Sequence, residues 1–224
     1  MVGVRVPIGM PDKVNMKQHS LNKFDNFIHG LYFDDLSICD QIIEYHDVGD
    51  QERGVIGKEV ENTHKMVVDT TIKNSIDVKL DHNKELYIKY FTELTKCMIE
   101  YTNKYNYANA YDPWAVVSDT NIQKYEPEGG FYKWHSERTS ASGVSVTRHL
   151  VFMTYLNDVT DDGETEFYYQ KIKVKPQKGL TLIWPADWTF THRGIPSMTQ
   201  TKYIVTGWYN YIPSSRYSIG TTQV

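Results

Sequence analysis

At 224 residues and a formal charge of −4, the chain is long enough to bury a substantial core and has no run of like charge. Apolar residues make up 40% and spread along the whole length, which excludes a disordered chain. No basic, aromatic-interleaved stripe marks a nucleic-acid groove, no apolar run approaches a membrane span, and the opening Met1–Pro7 is too short and interrupted for a signal peptide.

Pro7, Gly9 and Pro11 punctuate residues 1–20, which read as a loose arm. A mixed apolar stretch over 22–33 reads as a short strand. Asp34 and Asp35 then precede Leu36, Cys39, Ile42, Ile43 and His46 at helical spacing, an acidic start that suits the helix dipole, and Gly49 ends it. His46, late in that helix, reads as solvated or capping. Residues 50–80 are polar and read as loop and short strand around Val67 and Val68, with His64 on the surface.

The clearest helix spans 83–105. Leu86, Tyr90, Phe91, Leu94, Cys97, Met98, Tyr101 and Tyr105 form one apolar stripe, with Lys84, Lys89, Glu93, Lys96 and Glu100 on the remaining surface. Such a stripe needs a broad partner, and a sheet face supplies one. Cys39 and Cys97 both fall on apolar helix faces and read as buried free thiols in a reducing, cytoplasmic setting.

After Pro113 the spacing changes to short segments of period two, over 119–125, 131–137, 144–156, 166–174, 180–184 and 201–211. Glycine- and proline-rich turns separate them. The expectation is therefore a single domain: an N-terminal arm and helical support over 1–112, a β core over 113–212 and a tail over 213–224, monomeric or weakly dimeric. Most of the 17 tyrosines and five tryptophans read as core and sheet packing.

Two stretches carry chemistry. Phe131-Tyr132-Lys133-Trp134-His135-Ser136-Glu137 offers an imidazole and a carboxylate two residues apart, which share one side if the segment is a strand. Thr191-His192-Arg193-Gly194 offers a second imidazole, with Lys202 ten residues on from His192. Two histidines and one carboxylate cap one face of an octahedral metal, as in non-haem Fe(II) oxygenases.

From Tyr125-Glu126-Pro127-Glu128-Gly129-Gly130-Phe131-Tyr132 through His135, Glu137, Arg148, Tyr155-Leu156-Asn157, Gly163-Glu164-Thr165-Glu166-Phe167, Gly179-Leu180, His192-Arg193-Gly194-Ile195-Pro196, Lys202 and Trp208, order and spacing resemble the prolyl 4-hydroxylase branch of the 2-oxoglutarate/Fe(II) dioxygenases. The resemblance covers about residues 113–212. It implies a mainly β fold with supporting α, a double-stranded β-helix (jelly-roll) core with the N-terminal helices packed on one sheet. It implies Fe(II) on His135, Glu137 and His192, with 2-oxoglutarate as cosubstrate and ascorbate as an accessory reductant. Lys202 would pair with the distal carboxylate, because ferrous iron, one carboxylate ligand and 2-oxoglutarate sum to a negative charge that needs a buried partner. Tyr125, Tyr155 and Thr165 would line the cosubstrate pocket, and Arg148, Trp208 and Tyr132 the substrate side.

Strict alternation along 144–156 sets Arg148 opposite Tyr155, so both reach one cavity only across a bulge. His149 reads as a satisfied structural histidine. Glu137 stands where this family usually has aspartate; the chemistry is the same and the reach one methylene longer. The reaction implied is hydroxylation of an unactivated C–H bond, with prolyl in a peptide or protein as the family precedent. A free amino acid or small metabolite is the alternative substrate, and a non-catalytic jelly-roll binding module the alternative function.

Overall fold

The computed structural model describes residues 15–20, 26–60, 63–139 and 143–212. The tail over 213–224, most of the expected N-terminal arm, the centre of loop 138–143 and the side chain of His64 lie outside the described residues. Among those described, the strands are β1 (Gln18–His19), β2 (His29–Tyr32), β3 (Glu52–Arg53), β4 (Ile56–Val60), β5 (Thr63–Val67), β6 (Ile76–Lys79), β7 (Trp114–Ala115), β8 (Asn121–Tyr125), β9 (Arg148–Tyr155), β10 (Thr165–Phe167), β11 (Ile172–Val174), β12 (Leu180–Pro185), β13 (His192–Gly194) and β14 (Lys202–Tyr211). The helices are α1 (Ser37–Val48) and α2 (Glu85–Lys104), with short 3-10 turns between strands.

A nine-stranded sheet runs β1-β2-β12-β9-β14-β8-β6-β3, with β7 also on β14. A three-stranded sheet runs β11-β10-β13, and β4 and β5 form a separate hairpin. This is the mainly β jelly-roll with helices on one sheet that the resemblance implied. The alternation of the central strands explains the layers. From β9, Leu150 and Phe152 join Ile183, Val205 and Tyr209 against Ile42 of α1 and Tyr90, Leu94 and Met98 of α2. Val151, Met153 and Tyr155 face the other way, with Leu182, Trp184 and Ile204, and meet Phe167 and Val174 of the small sheet.

Several sequence expectations are corrected. The short strand read over 22–33 is present as β2, but the first 112 residues do more than support the core: β2 joins the main sheet on β12, and β6 joins it on β8. Within the expected loose arm, Met16 is buried in the helix-side core and Gln18–His19 pairs with β2. The segment 131–137 is no continuous strand. Phe131 and His135 make isolated bridges to Lys73 and His192, because the chain passes from one partner to another after Gly129-Gly130. The expected strand 166–174 is a hairpin, β10 and β11, and 144–147 is a 3-10 turn.

His46 is not solvated. It is fully buried, its Nε2 lies 3.1 Å from the Ile76 carbonyl and its ring sits edge-on to Tyr203, because the last turn of α1 lies over β6 and β14. Glu93 is likewise buried. Its Oε2 accepts from the Asp34 backbone N–H at 2.8 Å and its other oxygen pairs with Lys96, so it ties α2 to the entry of α1. Cys39 and Cys97 are buried free thiols as expected, and burial pushes the Cys39 thiol up to about 12. Gly163 occupies a φ of +78°, the left-handed turn geometry that favours glycine.

Candidate metal and cosubstrate site

His135, Glu137 and His192 come together because the backbone at His135 docks directly on β13. Two reciprocal hydrogen bonds join the histidines: His135 N–H donates to His192 O at 3.0 Å, and His192 N–H to His135 O at 2.8 Å. β13 in turn is held on β10, with His192 opposite Phe167. One bridge therefore does what a long strand at 131–137 was expected to do.

The ring orientations follow from the same backbone. Nδ1 of His135 lies 2.9 Å from Lys133 O, and Nδ1 of His192 lies 2.9 Å from Phe190 O. A carbonyl only accepts, so each Nδ1 carries the proton and each Nε2 is left with a free lone pair. Those Nε2 atoms lie 3.7 Å and 3.5 Å from Glu137 Oε1. One ligand atom from each residue falls within 4.8 Å of the other two. Phe131 lies flat on the His135 ring, 3.7 Å between centroids.

Burial, and then the neighbouring His192, holds His135 down to about 4. Burial alone would raise the Glu137 carboxyl, but its attraction to His192, His135 and the Arg148 guanidinium brings it down to about 2. At neutral pH these two groups stand as a neutral imidazole and a carboxylate, the forms that bind a cation.

The three residues open on a cavity of about 850 Å³, whose wall also includes Tyr125, Met153, Thr165, Lys202, Arg148 and Trp208. Lys202 is 4% exposed. Its ammonium donates to Gly163 O at 2.9 Å and Ile195 O at 3.4 Å, and among the described residues no carboxylate forms an ion pair with it. Burial pulls its pKa down to about 8 against the pull of Glu164. Tyr125 stands opposite Lys202 across β8 and β14, its ring 5.1 Å from the ammonium.

Not every residue singled out from the sequence reaches the cavity. Tyr155 is buried behind its wall, with its hydroxyl 2.7 Å from Thr165 Oγ1. Tyr132 is also off the wall and donates to Glu128 O at 2.7 Å. Arg148 does reach it, and by a bulge. Leu150 pairs with Tyr209 and Arg148 with Asn210, so His149 is the extra residue on β9. His149 is directed elsewhere, with Nε2 2.8 Å from Ala108 O, a satisfied structural histidine as expected. Ile72, Lys73 and Gln123 also stand in the cavity wall. Ile72 and Lys73 escaped sequence reasoning because they sit in a polar, loop-like stretch, and Gln123 because it carries no motif on a strand that was otherwise read.

Residues 120–210 match the model of the 2OG-Fe(II) oxygenase superfamily. Similar solved structures include a viral collagen prolyl hydroxylase from Paramecium Bursaria Chlorella virus-1 in complex with 2OG, 19% identical, with a TM-score of 0.60 over 84% of this chain and 97% of that one. A Pseudomonas putida prolyl-4-hydroxylase is 14% identical, with a TM-score of 0.61 over 84% and 94%. A Trichoplax adhaerens prolyl hydroxylase, in complex with a hypoxia inducible factor oxygen degradation domain peptide fragment, is 16% identical, with a TM-score of 0.63 over 83% and 84%. The chain resembles the prolyl hydroxylase-like 2-oxoglutarate/Fe(II) oxygenases. At these identities the likeness to the solved structures is one of fold, and no curated protein matches the sequence. Fe(II) and 2-oxoglutarate fit the residues present: a neutral-imidazole and carboxylate donor set for the metal, and for the cosubstrate a buried ammonium with no carboxylate in ion-pair contact among the described residues. No helix among the described residues is long and apolar enough to cross a membrane.

Proposed function

We propose that this chain hydroxylates an unactivated C–H bond, prolyl in a peptide or protein, using Fe(II) on His135, Glu137 and His192 and 2-oxoglutarate on Lys202. When bound, the metal and cosubstrate supply the oxidation: dioxygen and 2-oxoglutarate are consumed, CO2 and succinate leave, and one oxygen atom enters the C–H bond. The observation that carries this reading is Lys202, a buried ammonium in the same cavity as the three ligands. A buried ammonium with no carboxylate in direct contact is costly, since Glu164 acts on it only from a distance, and a dicarboxylate cosubstrate relieves that cost.

The chain's own residues bind, orient and exclude water. The two Nδ1–H groups are tied to carbonyls, which aims the Nε2 atoms at the metal position. Tyr125 and Thr165 share the cavity wall with Lys202, and Tyr155 fixes the Thr165 hydroxyl from behind. Met153, Trp184 and Ile204 give an apolar floor that keeps water from the reacting atoms. Arg148 and Trp208 stand on the substrate side of the wall. A peptide substrate is supported by the peptide complex of the Trichoplax adhaerens prolyl hydroxylase. The buried free thiols support a reducing, cytoplasmic setting.

The test is succinate release from 2-oxoglutarate with Fe(II), comparing the parent with His135→Ala, together with mass spectrometry of a proline-rich peptide library for addition of one oxygen atom. Iron-dependent succinate release and an oxidised prolyl peptide are expected. No iron-dependent turnover, and no binding of Fe(II) or 2-oxoglutarate, would favour the non-catalytic binding module instead.

A further inference from the structure

Glu137 has one more torsion to fix than the aspartate usual in the resembled family. Its two oxygens have different surroundings. Oε1 faces the imidazoles, 3.7 Å from His135 Nε2 and 3.5 Å from His192 Nε2. Oε2 accepts from Trp208 Nε1–H at 2.9 Å and from Arg148 Nη1 at 3.2 Å. The same Nη1 donates to the Glu137 backbone carbonyl at 2.8 Å, so one guanidinium holds the residue at both ends. That guanidinium lies 3.7 Å from the Trp208 ring centre, which stacks the two donors on each other. The bulge at His149 is what turns Arg148 into this position.

We propose that Arg148 and Trp208 clamp the long carboxylate so that Oε1 alone serves the metal. They are positioning residues for Glu137, acting through it. This rests on the oxygenase reading. With Oε2 engaged by two donors, rotation about the extra bond is blocked, and a glutamate can do the work of an aspartate. Partners of this kind around a metal ligand change affinity by about 10–100-fold when removed.

The test is titration of the full chain with Co(II), an air-stable stand-in for Fe(II), without peptide, followed by calorimetry and by the Co(II) absorption spectrum. Trp208→Phe keeps an aromatic ring and deletes the N–H; Arg148→Met keeps an unbranched stem and deletes the donors. Each is expected to weaken Co(II) binding about tenfold or more and to change the spectrum. In a Glu137→Asp background, where the shorter carboxylate falls short of Trp208, adding Trp208→Phe is expected to cost much less, because the two changes act on one contact. Should Arg148→Met fail to fold, Trp208→Phe carries the test. Parent-like affinity and spectrum in Trp208→Phe, or full additivity with Glu137→Asp, overturns the clamp alone. A parent chain that binds no Co(II) overturns the clamp and the oxygenase reading together.

Discussion

Lys202 holds its charge against burial, and that sets its pH behaviour. Its folded pKa of about 8 lies below the ordinary 10.5, so between those values the unfolded chain holds a proton that the folded chain has lost. Stability of the ligand-free protein from this group therefore rises with pH across that window. On the proposed reading, binding of 2-oxoglutarate would run the other way, because its distal carboxylate would need the charged ammonium. Its affinity is expected to fall by up to about tenfold for each pH unit above the Lys202 pKa, read by calorimetry from neutral to alkaline pH. Lys202→Met should abolish 2-oxoglutarate binding while the melting temperature stays level or rises, since the variant removes a buried charge. A lower melting temperature with binding retained would show that the ammonium is structural. In the sequence, Lys202 was legible through its spacing from His192; the missing carboxylate partner that makes it informative was not.

At the scale of elements, alternation was readable and its interruptions were not. Leu150 to Tyr155 keep the expected parity, and the two faces of β9 separate the helix-side core from the cavity. The bulge at His149 has no glycine or proline to announce it, so Arg148 could be set on either face. The stripe of α2 was plain, but Glu93 sits buried beside it because its partner, the Asp34 backbone, is distant in sequence. The pairing of β14 with β9 offers a test of packing. A Cβ on Gly207 would collide with the ring of Phe152, its cross-strand neighbour. Gly207→Ala is expected to destabilise by ~1–3 kcal/mol in urea unfolding, and Phe152→Leu in the same chain to recover part of it. Unchanged stability in Gly207→Ala would contradict this packing.

For the molecule as a whole, the helices buttress one face of the large sheet and the site occupies the other. Substitutions in the buttress should therefore act on stability and leave the site's affinity alone. Leu94→Ala, at a fully buried position on α2, is expected to cost ~2–5 kcal/mol while leaving 2-oxoglutarate affinity unchanged at temperatures where the chain stays folded. Loss of affinity in the folded variant would show that the helix layer reaches the site. The β half was legible because its turns and period recur after Pro113. In the first half β2 was legible in the apolar stretch over 22–33, but β3 and β6 were not, because they are short and polar and gain their partners only in the sheet, β3 on β6 and β6 on β8.

On the proposed reading, three ligands and one lysine make a single metal and cosubstrate site. The direct measurement is anaerobic titration of 2-oxoglutarate into the Fe(II)-loaded parent, His135→Ala and Lys202→Met, with a metal-free parent beside them. Tight binding in the loaded parent, lost or strongly weakened in the other three, is the expected result. Equal binding in all four, or none in the loaded parent, would contradict it.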